Sequence, residues 1–206
     1  MAKPRIFLSS TCYDLNDARA SLTTFFEDFG FEVLNSQLTN FGVSPKVHSA
    51  RACLDQVELA DYLVLIIASR QGEDFPASNH SITNAEFNRA KELGIVINTF
   101  VKSEVLSARR IFKENPSANF ASVVDDPRIF KFIDSISSSE TDNWLHSFNS
   151  VSDIQDTMKS QFGHYLSLYA KHLGRVGNST FRPVTVRMCV NGQAADCQFL
   201  GTDPLP

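Results

Sequence analysis

Three short polar segments of this 206-residue sequence hold residue types that can act on a sugar or a phosphate. Ser9-Ser10-Thr11 sets three hydroxyls in a row at the end of an apolar run. Arg70-Gln71-Gly72 follows the most apolar stretch of the chain, pairing a guanidinium that suits phosphate with a glycine that lets backbone turn sharply or approach a ligand closely. Ser81-Ile82-Thr83-Asn84-Ala85-Glu86 opens a helix with hydroxyls and one carboxylate. A carboxylate in that first turn, facing a crevice, can stabilise or trap the oxocarbenium ion formed when a glycosidic bond breaks. Hydroxyls and free N–H groups near a helix N-terminus suit phosphate or ribose.

Each segment also has a plainer use. Asp14 or Thr11 can simply cap the following helix, and Arg70 can be a solvated loop arginine. Thr83-x-x-Glu86 reads as a capping box, with Glu86 turned back onto the N–H of Thr83. Spacing leaves both uses open: a carboxylate free in a crevice favours catalysis, and one folded back on Thr83 favours a binding module. His80 and Cys12 fall near the same segments without forming a nucleophile–base arrangement. His48, His146, His164 and His172 show no metal-ligand spacing with one another or with Cys12, Cys53, Cys189 and Cys197, so no metal site is predicted. The cysteines form no CxxC pair, and reduced thiols packed as small hydrophobes are expected.

Alternating strands and helices position these segments. RIFLS (Arg5 to Ser9) reads as a first strand, and DLNDARASLTTFFEDFG as a helix with Leu15, Ala18, Leu22, Phe25, Phe26 and Phe29 at helical spacing, Asp14 as cap and Gly30 as stop. A strand at Phe31 to Leu34 precedes a helix that Ser44-Pro45 can start, carrying Val47, Ala50, Leu54 and Val57. Tyr62 to Ala68 is a continuous apolar run, as a strand covered on both faces requires. A helix from about Asn84 to Leu93 ends at Gly94, followed by the strand IVINTFV. A helix near Pro127 to Ile136, a short strand around Trp144 to Phe148 and a helix from Ser150 or Ser152 to about His172 complete the series. This pattern specifies a doubly wound, flavodoxin-like α/β fold: about five parallel strands in the order 2-1-3-4-5 with helices on both faces. Ligands bind such sheets at the carboxyl ends of the strands where the order reverses, between the first and third strands, where the three polar segments converge.

Beyond Gly174 the pattern changes. TFRPVTVRMCV alternates, Asn191-Gly192 is a hairpin turn, and CQFL is a return strand. The chain is therefore divided into a domain over 1–174 and a hairpin-like extension or start of a further domain over 175–206.

A net charge of −4, a pI near 5.7 and the lack of a Lys/Arg run argue against nucleic acid as a partner. The start MAKPR lacks a signal-peptide h-region, and no apolar run approaches the roughly 18 residues a membrane span needs, so a cytoplasmic protein without a membrane partner is expected.

Taken in order, RIFLSSTCYDLNDAR, ELADYLVLIIASRQG and SITNAEFNRAKELGIVINTFV resemble the domain of unknown function 4062 family over about residues 4 to 102. The family pattern falls here on Ser9, Ser10, Thr11, Asp14, Leu15, Arg19, Asp61, Arg70, Gly72, Ser81, Thr83 and Glu86. The family is similar to Toll/interleukin-receptor domains and nucleoside deoxyribosyltransferases, which cleave N-glycosidic bonds of NAD or nucleosides with a glutamate at the corresponding helix start. That resemblance implies Glu86 as the catalytic carboxylate, with Ser9, Ser10, Thr11, Arg70, Gly72, Ser81 and Thr83 around the substrate and Asp61 and Arg19 holding the scaffold. It implies a nucleotide-like small molecule as substrate rather than cofactor, and a bacterial antiviral or signalling setting with homo-oligomers or a defence-system partner protein. The rival expectation is a non-catalytic module that senses a nucleotide or assembles with partner chains.

Overall fold

A computed structural model of the chain describes residues 3–11, 14–36, 46–178, 182–190 and 193–201. By compactness the chain divides into two units, Met1–Asp156 and Thr157–Pro206.

The first unit is built on a five-stranded sheet in the order β2-β1-β3-β4-β5, formed by β1 (Arg5–Ser10), β2 (Glu32–Leu34), β3 (Tyr62–Ile67), β4 (Val96–Lys102) and β5 (Leu145–Phe148). Every neighbouring pair is parallel, which requires a crossover between successive strands. The helices α1 (Asn16–Asp28), α2 (Ser49–Val57), α3 (Ile82–Glu92), α4 (Ser103–Glu114) and α5 (Arg128–Ser137) supply them, and α6 (Val151–Asn178) follows β5. This is the flavodoxin-like α/β fold that the alternating pattern predicts.

The register sorts side chains onto two faces, because neighbours in a strand point oppositely. Phe7, Leu63, Leu65, Ile67 and Val101 join one buried cluster with Val57, Phe87, Ala90, Val105, Ile129 and Phe130 from α2, α3, α4 and α5. Ile6, Leu8, Val64, Ile66 and Phe100 point to the opposite face and are equally buried, as are Leu22 and Phe26 of α1. Ser9, in register with Leu65, shares the first face, and Ser10, in register with Ile66, shares the second. Consecutive hydroxyls at the end of β1 therefore serve different layers.

Several local expectations change. The buried stripe of α1 runs through Leu15, Arg19, Leu22 and Phe26, while Phe29 is 49% exposed. A buried arginine rotates the helix away from the all-apolar stripe. Asp14 does not cap it: Leu15 occupies the N-cap position without a side-chain bond, and the Asp14 carboxylate accepts from the Thr11 hydroxyl at 2.6 Å. The Ser44-Pro45 start lies outside the described residues; α2 begins three residues beyond position 46, with His48 Nδ1 accepting from the Ala50 N–H at 3.3 Å. Helix α4 was absent from the sequence-based series. It starts directly from β4 without a turn residue and buries only Val105 and Ala108 on its inner side. The stops of α1 and α3 hold: Gly30 and Gly94 have φ of +89° and +68°, and the following N–H groups bond back to Phe26 and Ala90 carbonyls at 3.1 and 3.0 Å. Only glycine reaches that conformation without strain.

In the second unit, β6 (Arg182–Val190) and β7 (Gln193–Gly201) pair antiparallel with Val190 opposite Gln193. The expected Asn191-Gly192 turn lies outside the described residues. Among the described residues no helix is long and apolar enough to cross a membrane.

Candidate functional site

The carboxyl ends of β1 and β3 lie side by side, with Ser9 opposite Leu65 and Ser10 opposite Ile66. Beyond them the 73–81 segment folds into a tight loop. Asp74 and Ser81 form an antiparallel bridge, the Phe75 N–H donates to the His80 carbonyl at 2.8 Å, and the Ile82 N–H to the Glu73 carbonyl at 2.8 Å. The loop is pinned to the start of α5 by Arg128, which bonds Asp126 at 2.8 Å, Asp74 at 2.9 Å and the Asn79 carbonyl at 3.4 Å. The Gln71 N–H donates to Asp125 at 2.7 Å, so the segment after β3 is fixed to the same stretch of chain.

Five of the expected site residues meet there. Thr11, Arg70, Gly72, Ser81 and Thr83 line one crevice of about 20 Å³, room for a single water. Gly72 is what allows this approach: a Cβ there would stand 3.2 Å from the Thr83 hydroxyl oxygen and 3.7 Å from the Thr11 methyl. Arg70 is exposed and, among the described residues, carries no hydrogen bond or ion pair. A wider groove of about 570 Å³ adjoins the crevice and shares Gln71, Asn84 and Phe132 with it.

Ser9, Ser10 and Glu86 do not line the crevice; all three are buried. The Glu86 carboxylate, 6% exposed, accepts from the Ser9 hydroxyl at 2.5 Å and from the Cys53 thiol of α2. Burial pushes its pKa from 4.5 up to about 7, against the opposing pull of the Ser9 bond, the Arg19 charge and the Cys53 bond. Removal from water outweighs two donors and a cation.

The expected capping box is not formed. Ser81 is the N-cap of α3: its hydroxyl accepts from the Asn84 N–H at 3.2 Å and donates to the Asn84 side-chain carbonyl at 2.8 Å. Glu86 is neither folded back on Thr83 nor free in the crevice. It is a buried carboxyl joining β1, α2 and α3.

On the opposite face, Arg19 is 2% exposed. Its guanidinium donates to the Ser10 carbonyl at 3.1 Å, the Ser10 hydroxyl at 2.7 Å, the Asn35 side-chain oxygen and the Ser36 hydroxyl at 3.4 Å. It thereby ties the ends of β1 and β2 together. At the other end of the sheet, Asp61 accepts from the Arg5 N–H at 2.7 Å.

Sequence reasoning did not single out Cys53, expected only to pack as a small hydrophobe one turn from Ala50 and Val57, nor Arg128 and Lys131 on α5. Among the described residues, no group of three or more His, Cys, Asp or Glu side chains is placed to hold a metal ion. No curated protein matches the chain. The family described as Domain of unknown function (DUF4062) matches residues 5–163, which include every element around the crevice, and the protein belongs to that family.

Proposed function

We propose that the protein cleaves the N-glycosidic bond of NAD or a related nucleotide, with Glu86 as the carboxylate and Thr11, Arg70, Gly72, Ser81 and Thr83 as substrate contacts. The observation that carries this reading is Glu86 itself. A buried carboxyl with a pKa near 7 stands on α3 one turn beyond Thr83, in the helix whose start lines the hydroxyl-bearing crevice at the carboxyl ends of the strands where their order reverses. Perturbed carboxyls at such positions are preferentially functional.

In this reaction the ribose C1′–N bond breaks and its electron pair leaves with the base. Positive charge builds on the ribose, and ionised Glu86 stabilises it or bonds to C1′. Water or another hydroxyl then attacks C1′, releasing the Glu86 carboxylate where the two had bonded, and the proton of the attacking group passes to Glu86 or to solvent. NAD enters as substrate, not cofactor. The resemblance to Toll/interleukin-receptor domains and deoxyribosyltransferases supports the same chemistry and a cytoplasmic defence or signalling role.

A second reading has its own support. Glu86 is enclosed by Ser9 and Cys53, and the crevice beside it admits one water, which suits a module that senses a nucleotide or assembles with a partner without chemistry. The test is to incubate wild type and Glu86→Gln at high concentration with NAD and a panel of nucleosides, following substrate loss and free base by chromatography. Turnover by wild type that Glu86→Gln lacks supports the enzyme. Binding without turnover by wild type moves the assignment to the sensor.

A further inference from the structure

The wider groove beside the crevice has a distinct chemistry. It runs between α3, which contributes Asn84 and Asn88 one turn apart, and α5, which contributes Arg128, Lys131 and Ser135, with His80 of the pinned loop at its side. No carboxylate among the described residues lines it. Arg128 is already matched by Asp126 and Asp74, which stand outside the lining. Lys131 is exposed and, among the described residues, forms no hydrogen bond or ion pair; its charge is felt by Asp126, whose carboxyl it helps to hold below the usual range, but no contact fixes the ammonium in place. The remaining lining is amide, hydroxyl and imidazole around the single aromatic ring of Phe132.

A groove with an ammonium free of direct contacts, several amide donors and no carboxylate in its lining favours an anion rich in acceptor oxygens. Its volume of about 570 Å³ is that of a small-molecule site. Gln71, Asn84 and Phe132 border both spaces, so a ligand in the groove lies next to the crevice. The loop bearing His80 is held by its own backbone bonds and by Arg128, so this side of the groove is formed before any ligand arrives.

We propose that this groove is a phosphate-binding subsite for the diphosphate of a nucleotide, with Lys131 as its principal charged contact and the sugar directed toward the Gly72–Thr83 crevice. Only the direction of the sugar rests on the reading given above; the phosphate subsite stands whether or not Glu86 performs chemistry.

The test is calorimetric titration of the full chain with NAD, ADP and adenosine, using wild type, Lys131→Glu, Lys131→Ala and, as a charge control, Lys46→Glu, each first checked for an unchanged melting curve. Wild type binds NAD and ADP more tightly than adenosine. Loss of a charged contact weakens NAD and ADP by about tenfold or more in Lys131→Glu, and by less in Lys131→Ala. Adenosine binding stays unchanged in every variant, and Lys46→Glu binds as wild type. The subsite is refuted if Lys131→Glu binds NAD and ADP like wild type, or if wild type binds ADP no better than adenosine. Lys131-dependent binding of NAD without turnover by wild type overturns the glycosidase and supports the subsite. Turnover that needs Glu86 but ignores Lys131 does the reverse.

Discussion

Replacing Glu86 by glutamine should stabilise the folded protein, and by an amount that depends on pH in one direction. In the folded state burial lifts the carboxyl from 4.5 to about 7; in the unfolded chain it returns to its ordinary value. A raised acid pKa means that the folded state holds the proton more tightly, so Glu86 imposes no penalty below its unfolded pKa. The penalty grows as pH rises from there and levels off above the folded pKa. At roughly 1.4 kcal/mol per pKa unit, the shift amounts to about 3 kcal/mol once Glu86 is ionised in both states. Glutamine keeps the shape and an oxygen to accept from Ser9, but never charges. Urea unfolding of both proteins across a pH series reads this directly, with the slope m checked for constancy. Glu86→Gln should gain under about 1 kcal/mol near about pH 5 and about 3 kcal/mol near about pH 8. A difference that does not vary with pH, or a wild type that is the more stable at the alkaline end, would refute the account of Glu86 as a desolvated carboxyl.

Other perturbations separate the remaining contacts. Ser9→Ala removes the hydroxyl that Glu86 accepts from at 2.5 Å; it should lower stability by about 1–3 kcal/mol, more at alkaline than at acid pH, and a double-mutant cycle with Glu86→Gln should show most of that loss to be shared. Arg19→Ala strips a buried guanidinium from the ends of β1 and β2, with an expected loss of about 3 kcal/mol or more in urea unfolding. Gly72→Ala places a methyl 3.2 Å from the Thr83 hydroxyl, an atom that can rotate away, so the melting temperature should hold, while on the proposed reading binding of a nucleoside, measured by calorimetry, weakens. Arg128→Ala breaks half-exposed ion pairs worth under about 1 kcal/mol, yet limited proteolysis within 73–81 should accelerate, because that loop loses its pin to α5.

The sheet was legible because its strands are short continuous apolar runs bounded by polar loops, and parallel order follows from helices of regular length between them. The crevice was legible for a related reason: Thr11, Arg70, Gly72, Ser81 and Thr83 all lie just past strand ends or at a helix start, where an open parallel sheet must gather its loops. The partners of Glu86 were not. Ser81-x-x-Asn84 and Thr83-x-x-Glu86 are overlapping capping frames, and local spacing cannot rank them. The first wins because Ser9, 77 residues away in sequence, holds the carboxylate of the second. Helix α4 escaped notice because it follows β4 with no turn residue and places only Val105 and Ala108 in the core. Arg19 broke the apolar stripe of α1 for a reason visible only in three dimensions, since its acceptors sit on β1 and on the residues following β2.

The pleat of β1 explains how the site is braced. Ser9 and Ser10 face opposite layers, so one residue's hydroxyl meets Glu86 among α2 and α3 while the next meets Arg19 on α1. The arginine's charge reaches Glu86 and lowers its pKa, but less than burial raises it. A fold that needed only a brace at this point would be better served by glutamine or an apolar residue. Retaining a carboxyl costs about 3 kcal/mol at alkaline pH, a large share of the 5–15 kcal/mol by which domains are typically stable. Local rules are broken in this way chiefly where a site is used. On the proposed reading that penalty is borne by an enzyme that must ionise Glu86 near neutrality; if wild type shows no turnover, the carboxylate is left with its bonds to Ser9 and Cys53 as its role.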